Sequence, residues 1–186
     1  MLDEIEYVLG NIHNVRTRLH TQSPAIELRD PQSQQVIDTV QSNVPDLILL
    51  NGTLGPSDFV ERGATVSVRF RRDGPFPGEP CFTWLLTGEK GEILVRAEKD
   101  PRLGQIAYVG PVTLRVRDFA TDKVEEVEWQ WEDWQKELPM PAWNVGALYD
   151  AYAEGGNVPG FEVGLKRHQE LDSMLANWEG GKNRSL

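Results

Sequence analysis

The stretch Ala64–Ala97 commits this chain to a β-rich fold. Ala64, Val66, Val68 and Phe70 alternate with Thr65, Ser67, Arg69 and Arg71. That period of two puts apolar side chains on one face of a strand and polar ones on the other. A loop rich in turn formers follows, Arg72–Pro80. Cys81–Thr87 then reads as a second strand, and Gly88-Glu89-Lys90-Gly91 turns it back into a third, Glu92–Ala97. Two short runs joined by a Gly-bounded turn predict a β-hairpin, and the three strands together are expected to form the centre of a sheet.

The flanking segments extend this pattern. Met1–Leu9 carries Leu2, Ile5, Val8 and Leu9 on one helical face, with Gly10 as a stop. Ile12–His20 alternates like a strand. In a regular strand His13 and His20, seven apart, point to opposite faces and cannot form one site. Val36–Val44 is expected to be extended. Leu47-Ile48-Leu49-Leu50 is a continuous apolar run, which predicts a strand covered on both sides. Gln105–Val109, Val112–Arg117 and Val124–Trp131 are further strand candidates. In the last of these the change of face between Val124 and Val127 suggests a bulge near Glu125-Glu126. Two helices close the chain, about Trp143–Ala153 and Phe161–Trp178. On the second, Phe161, Leu165, His168, Leu171, Leu175 and Trp178 form one apolar stripe. No helix falls between successive strands. The expected fold class is therefore α+β, a large and mainly antiparallel open-faced sheet with helices packed on one face, in a single domain spanning residues 1–186.

Composition excludes several functions. The 186 residues carry a net charge of −10, so a nucleic-acid phosphate backbone is repelled on average. The one local basic cluster is Arg69-Arg71-Arg72. No apolar run is long enough to span a bilayer, and the acidic start lacks the basic region of a signal peptide. The expected setting is cytoplasmic, with no membrane partner. The lone Cys81 can form no internal disulfide, and an inert thiol in a strand is the plain reading. No Cys-Xaa-Xaa-Cys or clustered His pattern suggests a metal, and no dinucleotide or Walker fingerprint is present.

What remains is a short set of candidates. His168 and Asp172, four apart, could be a base and its orienter. A packed histidine on the apolar stripe is the plainer account, and His168 is only a weak catalytic candidate. The arginines leading into a loop with Phe76 could bind a polar or acidic small molecule, or be solvated charges at a sheet edge. Trp129, Trp131, Trp134 and Trp143 could line a pocket, cover a partner contact, or pack a core.

Five stretches in order are similar to one family. They are Glu6–Gly10, Val44–Leu54, Gly74–Gly78, Trp84–Ile93, and Trp143-Asn144-Val145 with Leu148–Tyr152 and the helix around His168–Leu175. Together they resemble the C-terminal domain of Gfo/Idh/MocA oxidoreductases, in the branch of the fungal galactose-regulon repressor. The resemblance implies a two-domain parent with a Rossmann domain binding NAD(P) ahead of a sheet domain. It implies substrate contacts on the helix-covered side, for which Arg72, Phe76, Trp84 and Asn144 are the positions expected here. It also implies an oligomer interface, a homodimer or a partner subunit, on the open sheet face. This chain lacks the Rossmann fingerprint and the family's Glu-Lys-Pro motif. The expectation is therefore a substrate-binding and oligomerisation domain that binds no cofactor alone and transfers no hydride alone. Two alternatives stay open: a non-catalytic regulatory or protein-interaction module, and a cofactor-free isomerase or dehydratase reusing the pocket through His168, Arg72 and Asn144.

Overall fold

The alternation in Ala64–Phe70 does produce a strand, but one that pairs backward along the chain rather than forward. In this computed structural model, which describes residues 2–72, 74–98, 112–176 and 178, Thr65–Arg71 (β5) lies antiparallel to Leu47–Leu54 (β4), and β4 in turn lies beside Ile12–His20 (β1). The hairpin Phe82–Thr87 (β6) and Gly91–Ala97 (β7) forms as the turn chemistry predicts. It belongs to a different sheet, continued by Val112–Asp118 (β8) and Lys123–Glu126 (β9). The expected run of three neighbouring strands is thus divided, β5 being an edge of one sheet and β6 an edge of another with β7 inside it. The division falls in the Arg72–Pro80 loop, because the chain forms two compact units that part between Gly74 and Pro75.

The first unit comprises Leu2–Gly74 and the chain from Gly164 onward. It opens with helix α1, Leu2–Leu9. Gly10 ends that helix with φ +82° while its N–H donates to the Glu6 carbonyl at 2.9 Å, the left-handed stop that glycine adopts without strain. Ile5 on α1, Ile12 on β1, Leu50 and Leu54 on β4 and Val60 in the following turn are buried. Between β1 and β4 the chain makes a separate antiparallel ribbon, Ala25–Arg29 (β2) with Val36–Gln41 (β3). Asp46 secures its base. The carboxylate accepts the Gln22 N–H at 2.5 Å and the Ser23 N–H at 2.8 Å. Those two bonds, the Gln22 one foremost, hold its pKa below the ordinary value despite burial.

Helix α4, Phe161–Leu175, is packed by a different face than its apolar stripe suggests. From Gly164 on, the residues turned inward are Lys166, Arg167, Glu170 and Met174, and the Met174 carbonyl accepts the Thr17 hydroxyl of β1 at 2.9 Å. Beyond the helix, the Trp178 indole N–H reaches the Asn43 carbonyl at 2.7 Å. Leu165, Leu171 and Leu175 are exposed, Leu165 to 61%, and His168 is exposed with them.

The second unit, Pro75–Val163, is built on the β6–β7–β8–β9 sheet. The register puts Trp84, Val95 and Leu114 in one cross-strand row, on the face that also carries the fully buried Ala97. The β8–β9 register is uninterrupted from Asp118↔Lys123 to Arg115↔Glu126. There is no bulge at Glu125-Glu126, and Val124 simply faces the other way. The strand expected to run to Trp131 ends at Glu126, with one further ladder bond from the Val127 N–H to the Leu114 carbonyl. A short helix not foreseen from the sequence, α2 (Asp133–Lys136), precedes a 3-10 turn at Met140–Ala142 and helix α3, Trp143–Ala153. The expected strand Gln105–Val109 lies outside the described residues.

All pairing among the described residues is antiparallel, in sheets of three, two and four strands, and the α+β class holds. No helix among the described residues is long and apolar enough to cross a membrane.

One close approach tests the β7–β8 register. A Cβ at Gly91 would stand 2.2 Å from the Arg117 carbonyl oxygen, a backbone atom that cannot swing aside. Gly91→Ala should lower stability by about 1–3 kcal/mol in chemical denaturation. An unchanged midpoint would mean that the register at this end of the hairpin is different.

Candidate functional site

The residues singled out in advance are divided between the two units. Arg72 and His168 lie in the first unit, exposed at the end of β5 and on the outer side of α4. Phe76, Trp84 and Asn144 lie in the second. Phe76 is 75% exposed in the loop, Trp84 is half-buried in its sheet row, and Asn144 is exposed at the start of α3. Cys81, half-buried and free, sits one residue ahead of β6. Among the described residues no cluster of three or more His, Cys, Asp or Glu side chains could hold a metal.

Three of the tryptophans come together through ring contacts, although Trp129, like Trp134, stays exposed. Trp129 and Trp131 meet edge to face at 6.1 Å between ring centroids, and Trp131 lies 5.4 Å from Trp143. The ring N–H groups are used internally: Trp129 donates to the Val112 carbonyl at 2.9 Å and Trp143 to the Leu138 carbonyl at 3.0 Å. Gly146 lets the cluster close, since a Cβ there would stand 2.6 Å from Leu138 and 3.3 Å from Trp134. The buried Gln135 braces the segment, accepting from the Glu132 N–H and donating to the Trp143 carbonyl.

Glu6 on α1 is, with Asp46, one of the buried carboxylates among the described residues. Its side chain is 5% exposed. One oxygen accepts the Ile12 N–H at 3.0 Å; the other faces Arg167 at 3.0 Å and Lys166 at 3.3 Å. Arg167 also reaches Asp3 at 2.6 Å and bonds Glu170, and Lys166 bonds Asn11. Burial alone would raise the Glu6 pKa. The Ile12 N–H and the two cations outweigh it and hold the carboxyl below its ordinary 4.5. The cluster is internally satisfied and ties α4 to the α1–β1 corner. It has the character of a structural clamp rather than a site.

With α1 and α4 on one face of the β1–β4–β5 sheet, the other face is open. Its make-up follows from the register. Arg16 pairs with Asn51 and that with Ser67; Arg18 with Leu49 and Arg69; His20 with Leu47 and Arg71. His13 joins them opposite Thr53. The register slips by one residue between His13 and Arg16, where Asn14 adopts φ +53°. That bulge brings His13 and His20 onto the same face, against the expectation from simple alternation, but still about 20 Å apart. None of the positions that β1, β4 and β5 contribute to this face is acidic. The half-buried Leu47 and Leu49, expected to be covered, form a narrow apolar spine between exposed arginines on both flanking strands. Sequence reading found Arg69, Arg71 and Arg72 as a cluster. It missed that Arg16 and Arg18 complete them across the sheet, because the pairing of β1 with β5 through β4 is not written in any local pattern.

The clamp predicts an acid-sensitive fold. Glu6 takes up its proton at a higher pH in the unfolded chain than in the folded one. Its contribution is therefore complete above about pH 4.5 and is lost as the pH falls through the folded value. Glu6→Gln should cost about 2–3 kcal/mol at neutral pH and flatten the pH dependence below about 4.5. Equal slopes for the two proteins would show that Glu6 is not the group responsible.

Comparison with known proteins agrees with this architecture. Residues 1–97 match the family model described as Gal80p, C-terminal domain. Among solved structures, a super-repressor mutant of Gal80p from Saccharomyces cerevisiae superposes with a TM-score of 0.71 at 16% identity, over 94% of this chain and 44% of that one. The transcriptional regulator Gal80p from Kluyveromyces lactis gives 0.68 at 14% identity, over 94% and 40%. A protein from Desulfitobacterium hafniense named as a candidate NADPH-dependent oxidoreductase gives 0.51 at 16% identity, over 87% and 38%. The chain spans less than half the length of each. No curated protein matches it.

Proposed function

This chain belongs to the Gal80p C-terminal domain family, and on that premise we propose that it is a protein-interaction domain of the regulator type, working through the open face of the β1–β4–β5 sheet. The observation that carries this reading is the face itself: an exposed surface with an apolar spine, cationic flanks and no acidic residue among the positions of its three strands. Arginine is enriched where proteins meet.

The reading makes two measurable statements. Titration with NADPH should give no saturable binding below about 1 mM, an affinity weaker than about −4 kcal/mol. A second reading is a substrate-side and oligomerisation domain of an NAD(P)-dependent oxidoreductase, which also binds no cofactor alone, so micromolar binding would contradict both. That reading is favoured by the match to the Desulfitobacterium hafniense protein, with Arg72, Phe76, Trp84 and Asn144 as its substrate contacts. A cofactor-free enzyme using His168, Arg72 and Asn144 would require activity that alanine at these positions removes. For the interaction reading itself, Arg18 and Arg69 should react freely with an arginine-selective reagent in the dilute chain. They should be protected in any assembled state separated by size-exclusion chromatography. Full reactivity in the assembled state would contradict it.

A further inference from the structure

Several hydroxyl groups of the first unit are spent inside the fold. Thr17 donates to the Met174 carbonyl, Thr53 to the His13 carbonyl and Ser33 to the Asp30 carboxylate. The Ser23 hydroxyl has no such partner among the described residues. Ser23 is exposed between β1 and β2, at the base of the ribbon. Its main chain is fixed on both sides. The Gln22 and Ser23 N–H groups donate to the Asp46 carboxylate, and the Pro24 carbonyl accepts the Ser42 N–H at 2.7 Å. An anchored loop thus presents a free hydroxyl to solvent.

The residue that follows gives this hydroxyl a chemical context. Ser23-Pro24 is the one place in the sequence where Ser or Thr precedes Pro. Proline disfavours the helical conformation for the residue before it and favours an extended one, which is how a protein kinase takes its substrate. Proline also lacks an N–H. A kinase subsite that offers no acceptor at that point selects proline, because any other residue would bury an unpaired donor there. Thr21, two residues earlier, is half-buried and faces the Val44 carbonyl.

The surroundings suit a phosphate. The Arg72 N–H donates to the Asp46 carbonyl at 2.8 Å, so Ser23 and Arg72 are both bonded to Asp46, one to its side chain and the other to its main chain. The Arg72 side chain is exposed and makes no ion pair with a described residue. The register sets His20 and Arg71 on either side of Leu47, the next residue along β4.

We propose that Ser23 is phosphorylated by a proline-directed protein kinase and that Arg72 holds the phosphate. The Ser23 Oγ attacks the terminal phosphorus of ATP. The bond from that phosphorus to the bridging oxygen breaks, ADP leaves, and the hydroxyl proton passes to the kinase's own carboxylate base. The product carries a charge of about −2 at neutral pH. Arginine binds phosphate through paired N–H groups, and Arg72 thereby offsets the repulsion from Asp46. The ribbon base, joined to β4 through Asp46, is then joined to the end of β5 as well. What the open face binds has no part in this inference.

The test uses the full chain with a purified mitogen-activated or cyclin-dependent kinase and Mg-ATP, read by peptide-resolved mass spectrometry. One phosphate should enter, at Ser23, and none should enter Ser23→Ala. No incorporation into the folded chain overturns the inference, as does incorporation that Ser23→Ala leaves unchanged. The holder of the phosphate is tested by following the phosphorus NMR signal of the modified chain against pH. Asp46 raises the second pKa of the phosphate, and Arg72, with Arg71 and His20, lowers it. In phosphorylated Arg72→Gln that pKa should stand about one unit higher than in the phosphorylated parent chain, with circular dichroism unchanged. The same value in both proteins overturns Arg72 as the residue that holds the phosphate.

Discussion

The buried carboxylate of Glu6 is the constraint on which the first unit is arranged. It satisfies the first free N–H of β1 at Ile12 and, on its other oxygen, two cations from a helix 160 residues away in sequence. Removing a carboxylate from water is costly unless its oxygens are matched. Here they are matched by groups from the two ends of the chain, so α4 can dock on α1 and β1 only in one register. This requirement decides which face of α4 turns inward. Lys166 must reach Glu6 and Arg167 both Glu6 and Asp3, with Glu170 pairing the two cations, and a helix that presents those three cannot also present Leu165, His168 and Leu171.

That choice sets the character of the sheet. With α1 and α4 against the side that carries Leu50, Leu54, Val66, Val68 and Phe70, the alternation of β1, β4 and β5 sends the arginines to the other side. An acidic protein thereby acquires a concentrated basic surface, while its excess negative charge is left on the second unit. Local charge, not net charge, then governs what approaches each surface. The tryptophan cluster acts on the second unit as the clamp does on the first. Its rings pack on one another while Trp129 stays 42% exposed, and the neighbouring Glu128 and Glu132 are exposed.

Much of the local structure was legible in the sequence. The bounds of β1, the β6–β7 turn and helix α3 follow from alternation, glycine placement and helical spacing. What could not be read were the facings, because they depend on partners distant in sequence. His13 and His20 share a face only because Asn14 takes a left-handed conformation and inserts one residue into the ladder. Leu47–Leu50 looks like a strand covered on both sides, yet two of its leucines border solvent-facing arginines. The apolar stripe of α4 has the right period for burial, but the ion pairs of the opposite face prevail. In each case local periodicity was real and the tertiary requirement of a buried charge or a bulge redirected it. The family resemblance was legible from the order of several short stretches, none decisive alone. Of the predicted pocket residues, Arg72 belongs to the first unit and Phe76, Trp84 and Asn144 to the second.

The central claim is that this chain acts through the electrostatics of its open sheet face. Sedimentation equilibrium across sodium chloride concentrations from about 50 to about 500 mM tests it most directly, because exposed charge pairs are screened over that range. The account predicts an association constant that falls at least about tenfold across the series, with secondary structure unchanged. An association that is insensitive to salt, or strengthened by it, would mean that apolar contacts elsewhere hold the assembly together, and would contradict the account.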